Sequence, residues 1–115
     1  MPVTLINVFI VPAEREAEFL TAWKETSGVF SQTPNTGFIE THLQKNTGVG
    51  NTTFSFVNIA CWESAQHWKT AHDAYSPKEY QIPGVKGHPS IFETVVDLYG
   101  MGKHDTGQCF LRVPK

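Results

Sequence analysis

Along Phe56-Val57-Asn58-Ile59-Ala60-Cys61-Trp62, strand periodicity puts Phe54, Phe56, Asn58, Ala60 and Trp62 on one side and Ser55, Val57, Ile59 and Cys61 on the other. Both sides are largely apolar, the pattern of a strand covered on each face, and an amide in that setting needs hydrogen-bond partners. The same period over Val3 to Val11 sets Leu5, Asn7 and Phe9 against Ile6, Val8 and Ile10, with Asn7 the one strongly polar interruption. Pro12 and the acidic residues Glu14, Glu16 and Glu18 then open a helix that runs to about Phe30. Its buried stripe is expected at Ala13, Ala17, Leu20, Trp23 and Phe30, with Phe19 at the margin.

Pro34-Asn35-Thr36-Gly37 is a turn cluster leading into a second strand from Phe38 to about Lys45. Strict alternation there groups Phe38, Glu40, His42 and Gln44 against Ile39, Thr41 and Leu43. Gly48 to Asn51 makes a hairpin loop, and the third strand is expected over Thr52 to Trp62. Ser64 caps a second helix through about His72, and Ser76-Pro77-Lys78-Glu79-Tyr80 reads as a further short helical start. An irregular stretch from Pro83 to Pro89 precedes a fourth strand at Ile91 to Tyr99.

The order β-α-β-β-α-β implies an α+β, ferredoxin-like split arrangement, four antiparallel strands with both helices on one face. The other face is apolar too and has to be covered, so a homodimer is expected, two sheets closing into a dimeric α+β barrel. Residues 1–100 form the module, and 101–115 a glycine-containing tail with an extra strand expected at Cys109 to Val113.

A chain of 115 residues fits one domain. A formal charge of −2 with both signs scattered offers no basic stripe for nucleic acid and no polybasic block for a membrane surface. The amino terminus lacks the basic start of a signal peptide, no segment is apolar over a bilayer's width, and a cytoplasmic protein is expected. Cys61 and Cys109 lie far apart and form neither a metal-type pair nor a disulfide framework.

Val3-Thr4-Leu5-Ile6-Asn7, Gly37-Phe38 and above all Asn58-Ile59-Ala60-Cys61-Trp62-Glu63-Ser64 resemble the antibiotic biosynthesis monooxygenase family of dimeric α+β barrels. The resemblance covers roughly the first hundred residues. In the quinone-forming members an aromatic substrate lies between sheet and helices and is oxygenated by O2 without metal or flavin. The resemblance implies that Asn58 and Trp62 match two of their pocket residues. It puts Trp68 where that pocket has a tyrosine and Gln44 where it has a histidine. The haem-degrading branch uses a strand-one asparagine, which Asn7 matches, but neither His67 nor His72 falls on the position of its helical ligand.

Oxygenation without a cofactor needs an electron-rich ring that can lose a proton, a dry pocket, and donors that stabilise the anion while it passes an electron to O2. Asn58 and the Trp62 indole are the candidate donors, with His72 the candidate base. His72 follows Trp68 by four residues and shares its helical face, whereas His67 diverges from it. Asn7, Trp23, His42, Phe54, Phe56 and Trp68 complete the expected substrate pocket, with His42 a second candidate base. No cofactor or metal is expected, with haem as the alternative. A third reading is a non-catalytic dimeric module that binds a small apolar metabolite or supports stress tolerance.

Overall fold

The computed structural model describes residues 2–101. Four strands, β1 (Val3–Ile10), β2 (Phe38–Lys45), β3 (Phe56–Trp62) and β4 (Lys86–Phe92), alternate with helices α1 (Glu16–Gln32) and α2 (Ala65–Ala74). They form one antiparallel sheet in the order β2-β3-β1-β4. This is the ferredoxin-like α+β arrangement. Single 3-10 turns at Ala13–Arg15 and Lys78–Gln81 lead into α1 and precede β4.

The period-two pattern is realised in β1 and β3. Leu5, Asn7 and Phe9 are buried beside Phe56, Asn58, Ala60 and Trp62 on the face that meets the helices. The intervening residues Ile6, Val8, Ile10, Val57, Ile59 and Cys61 lie half-buried on the opposite face. Two apolar clusters fill the covered side. One gathers Phe9, Phe19 and Phe56 with Ile82 and Val85, and the other Leu5, Phe30, Ala60 and Trp62.

Three expectations are corrected. In α1 the buried stripe is Phe19, Trp23, Thr26 and Phe30, spaced four, three and four. Phe19 is its anchor, fully buried edge-on against Phe9 with ring centroids 4.9 Å apart. The helix starts only after the Ala13–Arg15 turn, so Ala13 is not part of it. The fourth strand is Lys86–Phe92 and not Ile91 to Tyr99. Its register on β1 ends with Thr4 opposite Phe92, near the beginning of β1, so the chain beyond has no partner there. Pro89 is tolerated because β4 is an edge strand. The third strand starts at Phe56, since Thr52 to Phe54 belong to a loop whose Phe54 carbonyl accepts from the Asn46 amide at 2.8 Å. The extra strand expected at Cys109 to Val113 lies outside the described residues.

Ser64 caps α2 as its position predicts: its hydroxyl accepts from the His67 N–H at 3.1 Å. Gly37, at φ 84°, passes so close beneath this turn that a Cβ would sit 2.5 Å from the His67 ring. Among the described residues no helix is long and apolar enough to cross a membrane.

Candidate active site

Between the sheet and the helices lies a small cavity, walled by Asn7, Asn58 and Trp62 from the central strands, Trp23, Thr26 and Phe30 from α1, and His72 from α2. Glu79 and Tyr80 of the Lys78–Gln81 turn close it. The space left for solvent is about 20 Å³, room for one water molecule.

Asn7 and Asn58 are directly opposed in the β1–β3 register, so two amides stand side by side on the buried face. Each is held by a different neighbour. The Thr41 hydroxyl donates to Asn58 Oδ1, and Asn58, whose NH2 is its donor group, lines the cavity. Asn7 Nδ2 donates to the Tyr80 hydroxyl at 2.7 Å, which leaves Asn7 Oδ1 as an acceptor. Among the described residues that oxygen is buried without a partner, and so is Trp62 Nε1, whose residue is 1 % exposed. The cavity wall thus carries one unpaired acceptor and one unpaired donor. Leaving either unmade costs about 1–3 kcal/mol.

His72 packs against three aromatic rings, with centroids 4.5 Å from Trp68, 5.0 Å from Phe30 and 6.3 Å from Trp62. Its Nδ1 lies 3.3 Å from the Trp68 carbonyl. A carbonyl only accepts, so Nδ1 carries the proton and Nε2 keeps its lone pair. Burial lowers the His72 pKa, outweighing the opposing effects of that hydrogen bond and of Asp73. The ring is therefore a neutral base at neutral pH.

Of the other expected pocket residues, Trp23 lines the cavity, and Trp68 stands behind His72 with a buried, unpaired Nε1. Phe56 is buried one layer away against Phe19, at 5.1 Å between centroids. Phe54 is outside the site, in the loop before β3 and 39 % exposed, with its ring near His88.

His42 is also outside it. A bulge in β2 sets Phe38 opposite Trp62 but Glu40 opposite Cys61, so Ile39 is the extra residue and the alternation inverts after it. Phe38, Thr41 and Leu43 face the helices, and His42 lies on the other face with its Nε2 3.2 Å from Glu40. Gln44 shares that outer side, opposite Val57.

Sequence reasoning missed Thr41, Thr26, Glu79 and Tyr80. Thr41 was hidden by the bulge. The other three had no local signal, although an unpaired Asn7 announced that some distant partner had to exist.

No family model matches the sequence, and no curated protein does. Solved structures match over most of the chain. A protein of Shewanella loihica PV-4, provisionally assigned as a monooxygenase, superposes with a TM-score of 0.69 at 27% identity, over 84% of this chain and 96% of its own. The chain has the fold of that protein. SnoaB, a cofactor-independent oxygenase from Streptomyces nogalater, superposes with a TM-score of 0.63 at 24% identity, over 84% of this chain and 96% of its own. The heme-degrading protein of Mycobacterium tuberculosis gives a TM-score of 0.57 at 22% identity, over 86% of this chain and 100% of its own.

Haem can be tested against the residues themselves. The free Nε2 of His72 is a suitable ligand atom, but the cavity wall includes neither lysine nor arginine to meet propionates. As arranged here, the residues do not fit a haem.

Proposed function

We propose that the protein is a cofactor-independent monooxygenase that oxygenates a small polycyclic phenol or anthrone with O2. The observation that carries this reading is that Trp62 Nε1, an unpaired donor, and Asn7 Oδ1, an unpaired acceptor, belong to residues that line one small buried cavity together with the Asn58 amide. A hydroxylated ring ketone offers the complementary groups. Its carbonyl oxygen accepts from Trp62 and Asn58, and its hydroxyl donates to Asn7.

In this reaction His72 Nε2 takes a proton from the ring system. The resulting anion is stabilised by the two donors, more strongly in a water-poor site than in solution. The anion then reduces O2, the new C–O bond gives a peroxide anion, and the proton on His72 returns to it to make the hydroperoxide, leaving the imidazole neutral. Its O–O bond breaks to leave a ring ketone and water. Ring ligands need about 300 Å³ or more, so the cavity has to widen on binding.

The test is O2 uptake with simple hydroxyanthrones in the presence of a chelator. Enzyme-dependent uptake with one quinone formed per O2 is the expected result, and uptake no faster than the buffer's would sink the reading. Haem is the second reading, favoured by the free Nε2 of His72. Titration with haemin is expected to leave the Soret band unshifted, and a saturable shift would favour haem over the oxygenation of a free phenol.

The reading includes a homodimer. Ile6, Val8, Val57 and Ile59 form cross-strand pairs on the face away from the helices, and a second sheet would cover them. Light scattering at micromolar concentration should give twice the 12.9 kDa chain mass. Val57→Lys, which puts a charge on that face opposite Val8, is expected to give the monomer; a variant that stays dimeric would place the interface elsewhere.

A further inference from the structure

The Lys78–Gln81 turn carries a buried carboxyl that the reaction outlined above leaves without a role. Glu79 is 4 % exposed and lines the same cavity as His72. Its side-chain hydrogen bond comes from the Thr26 hydroxyl, at 2.7 Å. Thr26 in turn accepts from the Lys78 N–H at 3.2 Å, so the hydroxyl has its donor and acceptor both committed. The cation next in sequence is turned away: Lys78 Nζ sits 2.6 Å from Glu25 at the surface. From α2 the facing titratable group is His72, held neutral, and from the turn itself Tyr80, whose hydroxyl is engaged by Asn7.

A carboxylate in such a place is costly, because burying an ion without a counter-charge is among the largest penalties a fold can carry. A latch between this turn and α1 does not require it. Glutamine would accept the same hydrogen bond from Thr26 with no titratable group. Burial raises the Glu79 pKa, against the opposing pull of the Thr26 bond and of a hydrogen bond from its own backbone. The carboxyl is thereby kept toward its protonated, donating form, opposite a neutral imidazole in the same cavity. An acid and a base placed on one small cavity are what a two-proton step needs.

We propose that Glu79 is the acid of this cavity, giving its proton to the departing oxygen when the hydroperoxide collapses. In that step neutral His72 removes the hydrogen on the oxygen-bearing carbon as a proton, and the C–H electron pair becomes the second bond of the new ketone. The O–O bond breaks, and the leaving oxygen with its own hydrogen takes the Glu79 proton and departs as water. Carbon is oxidised by two electrons and the peroxide oxygen is reduced by two. The proton held by His72 returns to Glu79, so none is consumed.

The inference rests on the oxygenase reading, and Glu79→Gln separates the two. In the full chain, Glu79→Gln is expected to lower kcat with hydroxyanthrones by about 10²-fold, with KM little changed. The pH profile should lose the limb that Glu79 sets, while the limb set by His72 stays below the ordinary histidine value. Wild-type turnover with an unchanged profile in Glu79→Gln would reduce Glu79 to a latch and overturn the inference while leaving the oxygenase reading intact. No turnover by the wild-type protein would remove both.

A second measurement needs no substrate. Because the folded-state pKa is raised, the wild-type protein loses stability as pH climbs from the ordinary carboxylate value through the folded one, and the glutamine variant does not. The stability advantage of Glu79→Gln should therefore grow across that window and then level off. A difference independent of pH would mean that Glu79 is ionised in the folded protein and would overturn its role as the acid.

Discussion

Asn58→Ala is expected to lower kcat for O2 uptake with hydroxyanthrones by about 10²- to 10³-fold, the cost of removing one donor from a developing oxyanion. The Thr41 hydroxyl holds Asn58 Oδ1, so the orientation of the amide is fixed before a ligand arrives. Alanine removes that donor and also leaves the Thr41 hydroxyl without its acceptor, a stability cost of about 1–3 kcal/mol. The fold should survive this, because Asn58 belongs to neither of the two apolar clusters that fill the core.

Trp62→Phe is the companion variant. It keeps an aromatic ring against Phe30 and Phe38, at 5.6 and 5.4 Å between centroids, and deletes the unpaired N–H. Loss of turnover in both variants, with circular dichroism unchanged, supports two donors acting on one oxygen. Full turnover in both would show that neither touches the reacting group.

The largest effect on stability is expected at Phe19. Phe19→Ala should cost about 3–5 kcal/mol, read as a lower urea midpoint with an unchanged denaturant slope. Phe19 is fully buried and joins α1 to both central strands, edge-on to Phe9 and tilted against Phe56. No neighbour can collapse into the space without giving up one of those contacts. Leu20, one position on, is only half-buried and its truncation should cost distinctly less. Equal losses at the two positions would mean that the stripe on α1 is not the one described.

These two experiments bear on what could be read from the chain and what could not. The two-residue period of β1 and β3 placed Leu5, Asn7, Asn58 and Trp62 on the same covered face, since strand alternation is a property of the backbone and survives any packing. The split order of strands and helices followed from the same patterns. Ser64 was legible as a cap because the interaction it makes lies three residues away. In β2, by contrast, a single extra residue at Ile39 inverted the alternation and exchanged His42 for Thr41. Nothing in the residue types of that strand marks the bulge, because it answers to how β2 must bend against β3.

The amino-acid sequence by itself therefore determined the ferredoxin-like order and the buried pair of amides with their tryptophan, because local periodicity and capping are short-range effects. The tertiary structure decided which groups meet them. Thr26 reaches Glu79 across 53 positions, and Asn7 reaches Tyr80 across 73. Such partners are chosen by how a turn packs over a cavity once the sheet and helices have closed. The amide's need for a partner was legible in the chain, and the partner's identity was not.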